Sequence, residues 1–359
     1  MNITIVGGGN IGTQFAVHCA YKRHAVTVFT SKPERFSQTV RCVDAQGNET
    51  CCGELSCVTS DPETAFSQAQ VIFVTVPADC MAQYARLITP YVRPGVMVGL
   101  IPGTGGGECA FRECLDKGAV LFGLQRVPAV ARLAEYGRTV CSTGYRPELF
   151  AAALPKKHTQ DCCRLLSEIF DMPCTPLPDY LNLTLTPSNP ILHTTRLRTL
   201  FGDFAPGVVY DRIPLFYQQW SDESSRLLFV CDDEVQQLCK KLSMFDLSGV
   251  RSLKEHYESK TPEALTQKIS HIPAFQGLPS PQKAVDGGYI PDLQSRYFTA
   301  DFSYGLSILV QVAQLFGSPC PNMEETLQWY RDISGDSRMF RFADWGLDDP
   351  ATFISFYRQ

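Results

Sequence analysis

Gly7-Gly8-Gly9-Asn10-Ile11-Gly12 fits the spacing GxGxxG, with Gly7, Gly9 and Gly12 at the key positions. Gly7 would permit a tight turn out of a strand. Gly9 would let the backbone approach a pyrophosphate, and Gly12 would allow close helix–strand packing. The N–H groups of Asn10 and Ile11 would open a helix whose positive dipole end attracts a diphosphate. Taken alone the motif marks only a glycine turn. Here an apolar run at 3–6 precedes it and a helix-like stretch at 11–22 follows, the context a dinucleotide site requires.

A second strand, 25–30, ends where an NAD-type site places an acid on the ribose 2′-hydroxyl. This chain has Thr30-Ser31-Lys32 there, then Arg35. The missing acid and the nearby positive charge suit a 2′-phosphate and favour NADP(H) over NAD(H). The other reading is that Lys32 and Arg35 are solvated surface charges. Val76 and Pro77 end a further strand, and carboxyl ends of strands face the ligand crevice in folds of this kind. Pro77 then fixes a turn beside the nicotinamide or simply ends the strand.

Six histidines are present. His18, His24, His158, His256 and His271 read as surface or packing residues. His193 differs, because it follows Thr186-Pro187-Ser188-Asn189-Pro190. Asn189 reads as a helix cap and Pro190 as the first helical residue. His193 then falls in the first turn, four residues after Asn189, so both could address one site. Two readings stay open for it: a satisfied structural histidine, or a catalytic group. Asp301 opens a later helix with Thr299 as its cap. A carboxylate partner would fix the tautomer of such a histidine, but spacing alone does not bring the two together.

No Cys, His or acid set has metal-ligand spacing and there is no CxxC, so no metal site is expected. The 15 cysteines read as reduced thiols, most of them buried as small apolar residues.

These groups must be positioned by a chain of 359 residues, long enough for two domains. The sequence predicts a Rossmann domain over 1–185 and a helical one over 186–359. A composition of 44% hydrophobic and 19% charged residues is that of an ordinary globular protein. A net charge of -5 argues against a nucleic-acid partner held by a broad basic surface. No apolar run approaches the roughly 20 residues of a membrane helix, and the N-terminus lacks a signal-peptide pattern. A cytoplasmic protein, monomer or homodimer, is expected.

The first half alternates strand and helix signals. Strands are expected at 71–76, 97–101 and 119–124, and a hairpin within 40–58. That order indicates a doubly wound, mainly parallel sheet of α/β class. The second half changes to helical spacing at 221–243, a start at Thr261-Pro262, and helices at 301–316 and 323–333. Asn322 and Glu325 suit a capping box in the last of these. Few strand signals follow Leu185, so the second domain reads as all-α. Residues 271–299 are rich in Pro and Gly and weakly periodic, as irregular functional segments often are.

With these residues in place, the chain resembles the octopine/opine dehydrogenase family. The resemblance lies in Lys283-Ala284-Val285-Asp286-Gly287-Gly288, Pro291-Asp292 and Arg296-Tyr297-Phe298-Thr299-Ala300-Asp301. Pro214-Leu215-Phe216-Tyr217-Gln218 and Thr75-Val76-Pro77-Ala78 add to it. It spans most of the chain, from Ile3 to about Ile333. It implies a Rossmann domain followed by an all-helical domain, with catalysis in the cleft between them. It also implies NAD(P)H-dependent reductive condensation of an amino acid with a 2-oxo acid through an imine, or the reverse oxidation. By this resemblance His193 matches the catalytic histidine and Asp301 its carboxylate partner. Arg296 matches an arginine that reaches the cofactor pyrophosphate as the domains close.

One loop departs from the family pattern. Residues 102–107 read Pro-Gly-Thr-Gly-Gly-Gly, where arginine-using relatives carry bulkier polar residues. Backbone amides there, with Thr104, could bind a carboxylate. The family includes both NAD and NADP users. Two alternatives remain. A ketopantoate-reductase-like or glycerol-3-phosphate-dehydrogenase-like enzyme would rely on a lysine near the domain join, and none lies between Lys157 and Lys240. A protein that senses NADP(H) without turnover is the other.

Overall fold

The computed structural model describes residues 1–335 and 338–359. It separates into two compact units, Met1–Thr184 with Ser355–Gln359, and Leu185–Ile354.

The first unit holds twelve strands among its described residues. In chain order these are β1 (Asn2–Val6), β2 (Ala25–Phe29), β3 (Thr39–Val43), β4 (Glu49–Glu54), β5 (Cys57–Thr59) and β6 (Val71–Val74). Then come β7 (Met97–Leu100), β8 (Val120–Leu124), β9 (Val130–Glu135), β10 (Thr139–Thr143), β11 (Leu149–Leu154) and β12 (Cys174–Pro176). The main sheet runs β12-β11-β8-β7-β6-β1-β2-β5. Its pairs are parallel from β5 to β8, and β11 enters antiparallel to β8. Strand order reverses at β1, which pairs with β2 on one side and β6 on the other. Such a switch point opens a crevice at the carboxyl ends of the strands.

Every residue of β6 and β8 is buried, as expected of strands covered on both faces. Phe15 of helix α1 (Asn10–Tyr21) packs on Phe73 and Phe170 with ring centroids 5.0 and 4.8 Å apart, and Phe73 meets Phe122. A second sheet, β4-β3-β10-β9, carries the expected hairpin as β3 and β4. Strands β9 to β12 are absent from the sequence reading. Ala151, Ala152 and Ala153 at the centre of β11 have low strand propensity, and only burial between neighbours makes that segment extended.

The first unit also takes back the end of the chain, which the sequence reading gave to the second domain. Tyr357 is fully buried there and its hydroxyl donates to Glu108 Oε1 at 2.7 Å. Burial of an aromatic ring with its hydroxyl satisfied outweighs continuity with the preceding segment.

The second unit is built from helices Ser188–Leu200, Asp222–Lys241, Pro262–Ser270, Ser307–Leu315 and Pro321–Ser334, with shorter turns between them. Thr261 caps its helix as expected, accepting from Ala264 N–H. Asn322 does not cap. It lies inside the helix starting at Pro321, and Glu234 accepts from the N–H groups of Asn322 and Met323 and from the Asn322 amide. A carboxylate from a neighbouring helix is a stronger acceptor for orphan N–H groups than a local side chain. The stretch 271–299, read as irregular, contains a hairpin, β13 (Gln282–Val285) and β14 (Gly288–Pro291). Asp286-Gly287 makes its two-residue turn, with Gly287 at φ +84°, a left-handed value that glycine adopts without steric cost.

Candidate active site

In the first unit, β1 ends at Val6 and Gly7 follows at φ +104°. A Cβ on Gly7 would lie 3.1 Å from Thr75 Oγ1 and 3.2 Å from Val76 Cγ1. The turn after β1 is therefore pressed against the segment leaving β6, and Thr75 Oγ1 donates to the Val6 carbonyl at 2.9 Å. A Cβ on Gly12 would stand 1.8 Å from the Gly7 carbonyl oxygen, so only glycine lets α1 rest on this turn. Gly9 caps α1 and is exposed, and among the described residues nothing lies within 4 Å of where its Cβ would be. Open space over a glycine at a helix N-terminus is a cradle of the shape a pyrophosphate needs. The residues present fit a dinucleotide.

Around this cradle, Ile11 is half-buried against the core. Asn10 turns its side chain the other way, and its Oδ1 accepts from Leu133 N–H at 2.9 Å. Val76 and the exposed Pro77 follow β6 beside Gly7. Thr30 is buried at the end of β2, while Ser31, Lys32 and Arg35 are exposed. Tyr136, which the sequence did not single out, organises this corner. Its hydroxyl lies 3.4 Å from Thr30 Oγ1, and the Arg35 guanidinium sits 4.8 Å over its ring. Thr104 is half-buried in the loop that follows β7, next to Gly105 and Gly106 at φ +89° and +72°.

In the second unit, the helix carrying His193 begins at Ser188 with Pro187 as its cap residue, not with Asn189 as cap. Asn189 and Pro190 are inside it. A proline is tolerated in the first turn, where its absent N–H would lack a partner in any case. His193 thus sits in the second turn, with the exposed Asn189 one turn before it.

His193 and Asp301 meet. Nδ1 lies 2.7 Å from Asp301 Oδ2, and Nε2 lies 2.7 Å from the Tyr217 hydroxyl. An ionised carboxylate only accepts, so it selects the tautomer with N–H at Nδ1. Nε2 then accepts from Tyr217. Burial pushes the Tyr217 phenol far above its ordinary value, with Tyr297 adding to the effect, so its proton stays in place as the donor. Rings of Phe216 and Tyr297 pack on the imidazole at 5.6 and 4.7 Å.

Asp301 does not start an α-helix and Thr299 does not cap it. Ser295 caps the short helix Arg296–Thr299, and Asp301 precedes a π-turn, Phe302–Leu306, that leads into Ser307–Leu315. Such π-turns are frequent at functional sites. Arg296 is exposed at the first position of the helix that also brings Tyr297 to His193.

Two residues of this site escaped the sequence reading. Tyr217 was legible only as part of a motif. Arg196, one turn after His193, is buried and donates to the carbonyls of Leu215, Phe216 and Gln219 and to Ser224 Oγ. It ties down the segment that carries Tyr217. Burial lowers its guanidinium to about 10, still charged at neutral pH.

The NAD/NADP octopine/nopaline dehydrogenase alpha-helical domain matches residues 176–334, and the NAD-dependent glycerol-3-phosphate dehydrogenase N-terminus matches residues 2–104. Tauropine dehydrogenase of Arabella iricolor is 25% identical, covering 98% of this chain and 96% of the relative. Octopine dehydrogenase of Mizuhopecten yessoensis is 27% identical, covering 93% and 90%. A solved octopine dehydrogenase with NADH and L-arginine superposes with a TM-score of 0.87 at 23% identity, covering 100% of this chain and 99% of that one, and so shares the fold. In its helical-domain match, its full-length relatives and its fold, this chain is similar to the octopine/opine dehydrogenases.

Proposed function

We propose that this protein is an opine dehydrogenase, an oxidoreductase acting on CH–NH bonds. It condenses an amino acid with a 2-oxo acid and reduces the resulting imine, or runs the reverse oxidation. The observation that carries this reading is the His193–Asp301 pair at 2.7 Å, set in a helical unit of the matching family.

A bound pyridine nucleotide supplies the hydride that the imine carbon accepts. Gly7, Gly9 and Gly12, with the backbone N–H groups of Asn10 and Ile11, would hold its diphosphate. Val76 and Pro77 would border the nicotinamide. We propose NADPH over NADH, on the charges of Lys32 and Arg35 and the absence of an acid at 30–32. Arg296 adds a further contact to the pyrophosphate in this reading.

His193 moves the protons. Imine formation expels the keto oxygen as water, which needs a proton at that oxygen and loss of one from the amine. A histidine with N–H fixed at Nδ1 exchanges protons at Nε2 once a substrate group takes the place of the Tyr217 hydroxyl hydrogen-bonded there. Asp301 stabilises the imidazolium formed in the exchange. General acid–base help of this kind contributes about 10²–10⁴-fold. Asn189 and Thr104 would orient substrate polar groups, Thr104 and its loop amides taking a carboxylate. The reduced cofactor and the 15 thiols suit the cytoplasm.

The test is loss of NADPH or NADH absorbance with purified protein across paired amino acids and 2-oxo acids, each also supplied alone. Turnover requiring both, with a secondary-amine product by mass spectrometry, establishes the reading and names the substrates. Turnover with a 2-oxo acid alone replaces it with a simple keto-acid reductase.

A further inference from the structure

Away from the dinucleotide turn, the far end of α1 meets the β3–β4 hairpin over three side chains that ligate metals. Cys42 of β3 and Cys51 of β4 stand directly opposite each other in the antiparallel register. Both are buried, at 0% and 7% exposure. His18, half-buried in the last turns of α1, completes the group. One ring nitrogen of His18 and the two sulfur atoms all lie within 4.8 Å of one another.

Two backbone devices hold this geometry. A Cβ at Gly53 would stand 2.5 Å from Ala20 Cβ, so glycine there lets α1 lie close against β4 and fixes the height of His18. The register shifts just past Cys42, where Val43 pairs with Glu49 and Thr50 is left over. Bulges of this kind re-aim the neighbouring side chain, and Thr50 Oγ1 donates to the Cys42 carbonyl at 3.1 Å. The Tyr145 hydroxyl then spans the trio, 3.1 Å from His18 Nε2 and 3.7 Å from Cys42 Sγ. Tyr145 is 41% exposed and marks the side from which an ion enters.

We propose that His18, Cys42 and Cys51 form a binding site for one zinc ion, with the Tyr145 hydroxyl or a water as the fourth ligand. Zinc takes thiolate at about 2.3 Å and imidazole at about 2.0–2.1 Å in a tetrahedron, which sets its ligand atoms roughly 3.4–3.8 Å apart. From separations of up to 4.8 Å the trio therefore needs to draw in by about 1.4 Å at most. Two sulfurs and an imidazole select zinc over magnesium or calcium, which take oxygen ligands. Thiolates are the binding form. Bound there, the ion clasps α1 to the hairpin. No sequence spacing announces the site, because its ligands come from three separate elements.

The full chain, reduced, stripped with a chelator and desalted, is titrated with Zn²⁺ and separately with Co²⁺. The expected result is one equivalent retained, with a thiolate-to-cobalt charge-transfer band for Co²⁺. X-ray absorption of the zinc form should show sulfur neighbours at about 2.3 Å and nitrogen or oxygen at about 2.0–2.1 Å. Cys42→Ser, Cys51→Ser and His18→Ala should each weaken retention by more than about 100-fold, and Tyr145→Phe by about tenfold. Cys52→Ser on β4 and Cys57→Ser on β5, both outside the trio, should retain the ion. Absence of retained ion overturns the proposal, as does an absorption spectrum without sulfur, or loss of binding in the Cys52 and Cys57 variants instead. A Cys42–Cys51 disulfide forming in air with no zinc retained by the reduced protein also overturns it. The absorption measurement needs no variant, so a misfolded substitution does not leave the question open.

Discussion

Asp301 and His193 are 108 positions apart in sequence and 2.7 Å apart in space, carboxylate Oδ2 to ring Nδ1. With Tyr217 on the other ring nitrogen, they form a chain of three groups that fixes which nitrogen holds a proton. His193→Ala should lower kcat/KM by about 10²–10⁴-fold. Asp301→Asn keeps a hydrogen-bonding group but removes the charge that selects the tautomer, and should fall in the same range. Tyr217→Phe leaves the pair intact, so it should cost less and alter the shape of the pH–rate profile. Steady-state kinetics across pH with the cofactor saturating checks all three. Full activity in His193→Ala or Asp301→Asn protein that still folds and binds cofactor would remove the proposed roles.

Gly9 and Gly12 separate ligand binding from folding. A methyl on Gly9 points into open space, so Gly9→Ala should melt like the parent. Its cofactor dissociation constant should rise at least about tenfold, the equivalent of one charge-assisted hydrogen bond. A methyl on Gly12 would lie 1.8 Å from the Gly7 carbonyl oxygen. Gly12→Ala should therefore destabilise the first unit by about 3 kcal/mol or more. Thermal melts and fluorescence titration with NADPH distinguish the two, and equal melting points would refute the packing argument.

Much of this was legible in the chain, for identifiable reasons. The strands buried on both faces are unbroken apolar runs, and the glycine turn has fixed spacing with the right flanks. Residue types nominated His193 and Asp301, but nothing in their spacing joined them. Their pairing depends on the turn 302–306, which leaves no periodic signature, and the family resemblance supplied it. Tyr217 and Arg196 stayed hidden because each acts through a partner distant in sequence. Arg196 sits in an ordinary helical pattern, and only the fold shows that its guanidinium faces carbonyls and not water.

Arg196 positions the residue that touches His193. It donates to three carbonyls within 215–219 and lies 5.5 Å from the centre of the Trp220 ring. Arg196→Met would strand those carbonyls in a buried setting, at a cost of roughly 3 kcal/mol or more. Arg196→Lys should not restore stability, since an ammonium cannot span donors arranged as a planar fork. Chemical denaturation reads the stability, and kcat should fall alongside as Tyr217 loosens. A lysine variant as stable as the parent would show that charge alone suffices.

Lys32 and Arg35 test the proposed cofactor choice. Both are exposed near the end of β2. If they hold a 2′-phosphate, replacing both with alanine should raise KM for NADPH by about tenfold or more, as loss of charge-assisted contacts implies. KM for NADH, which lacks that phosphate, should change little. A parallel rise for both cofactors would mean that the two charges act on the pyrophosphate or on folding.

Asp232 carries a pH dependence of stability that is separate from catalysis. Its carboxyl is fully buried in the helix Asp222–Lys241, with Oδ2 accepting from Leu253 N–H. Burial raises it to about 7, against about 3.9 in an unfolded chain. The folded state then holds this proton more tightly than the unfolded state does. Its contribution is fully favourable below about pH 4 and is lost as pH rises towards about 7, at most about 4 kcal/mol. Asp232→Asn supplies the same acceptor without the charge. It should therefore stabilise the protein at pH 8, with an advantage that shrinks towards pH 5. Denaturation midpoints of both proteins across that range check it, and a constant difference would mean that Asp232 is ionised in the folded state throughout.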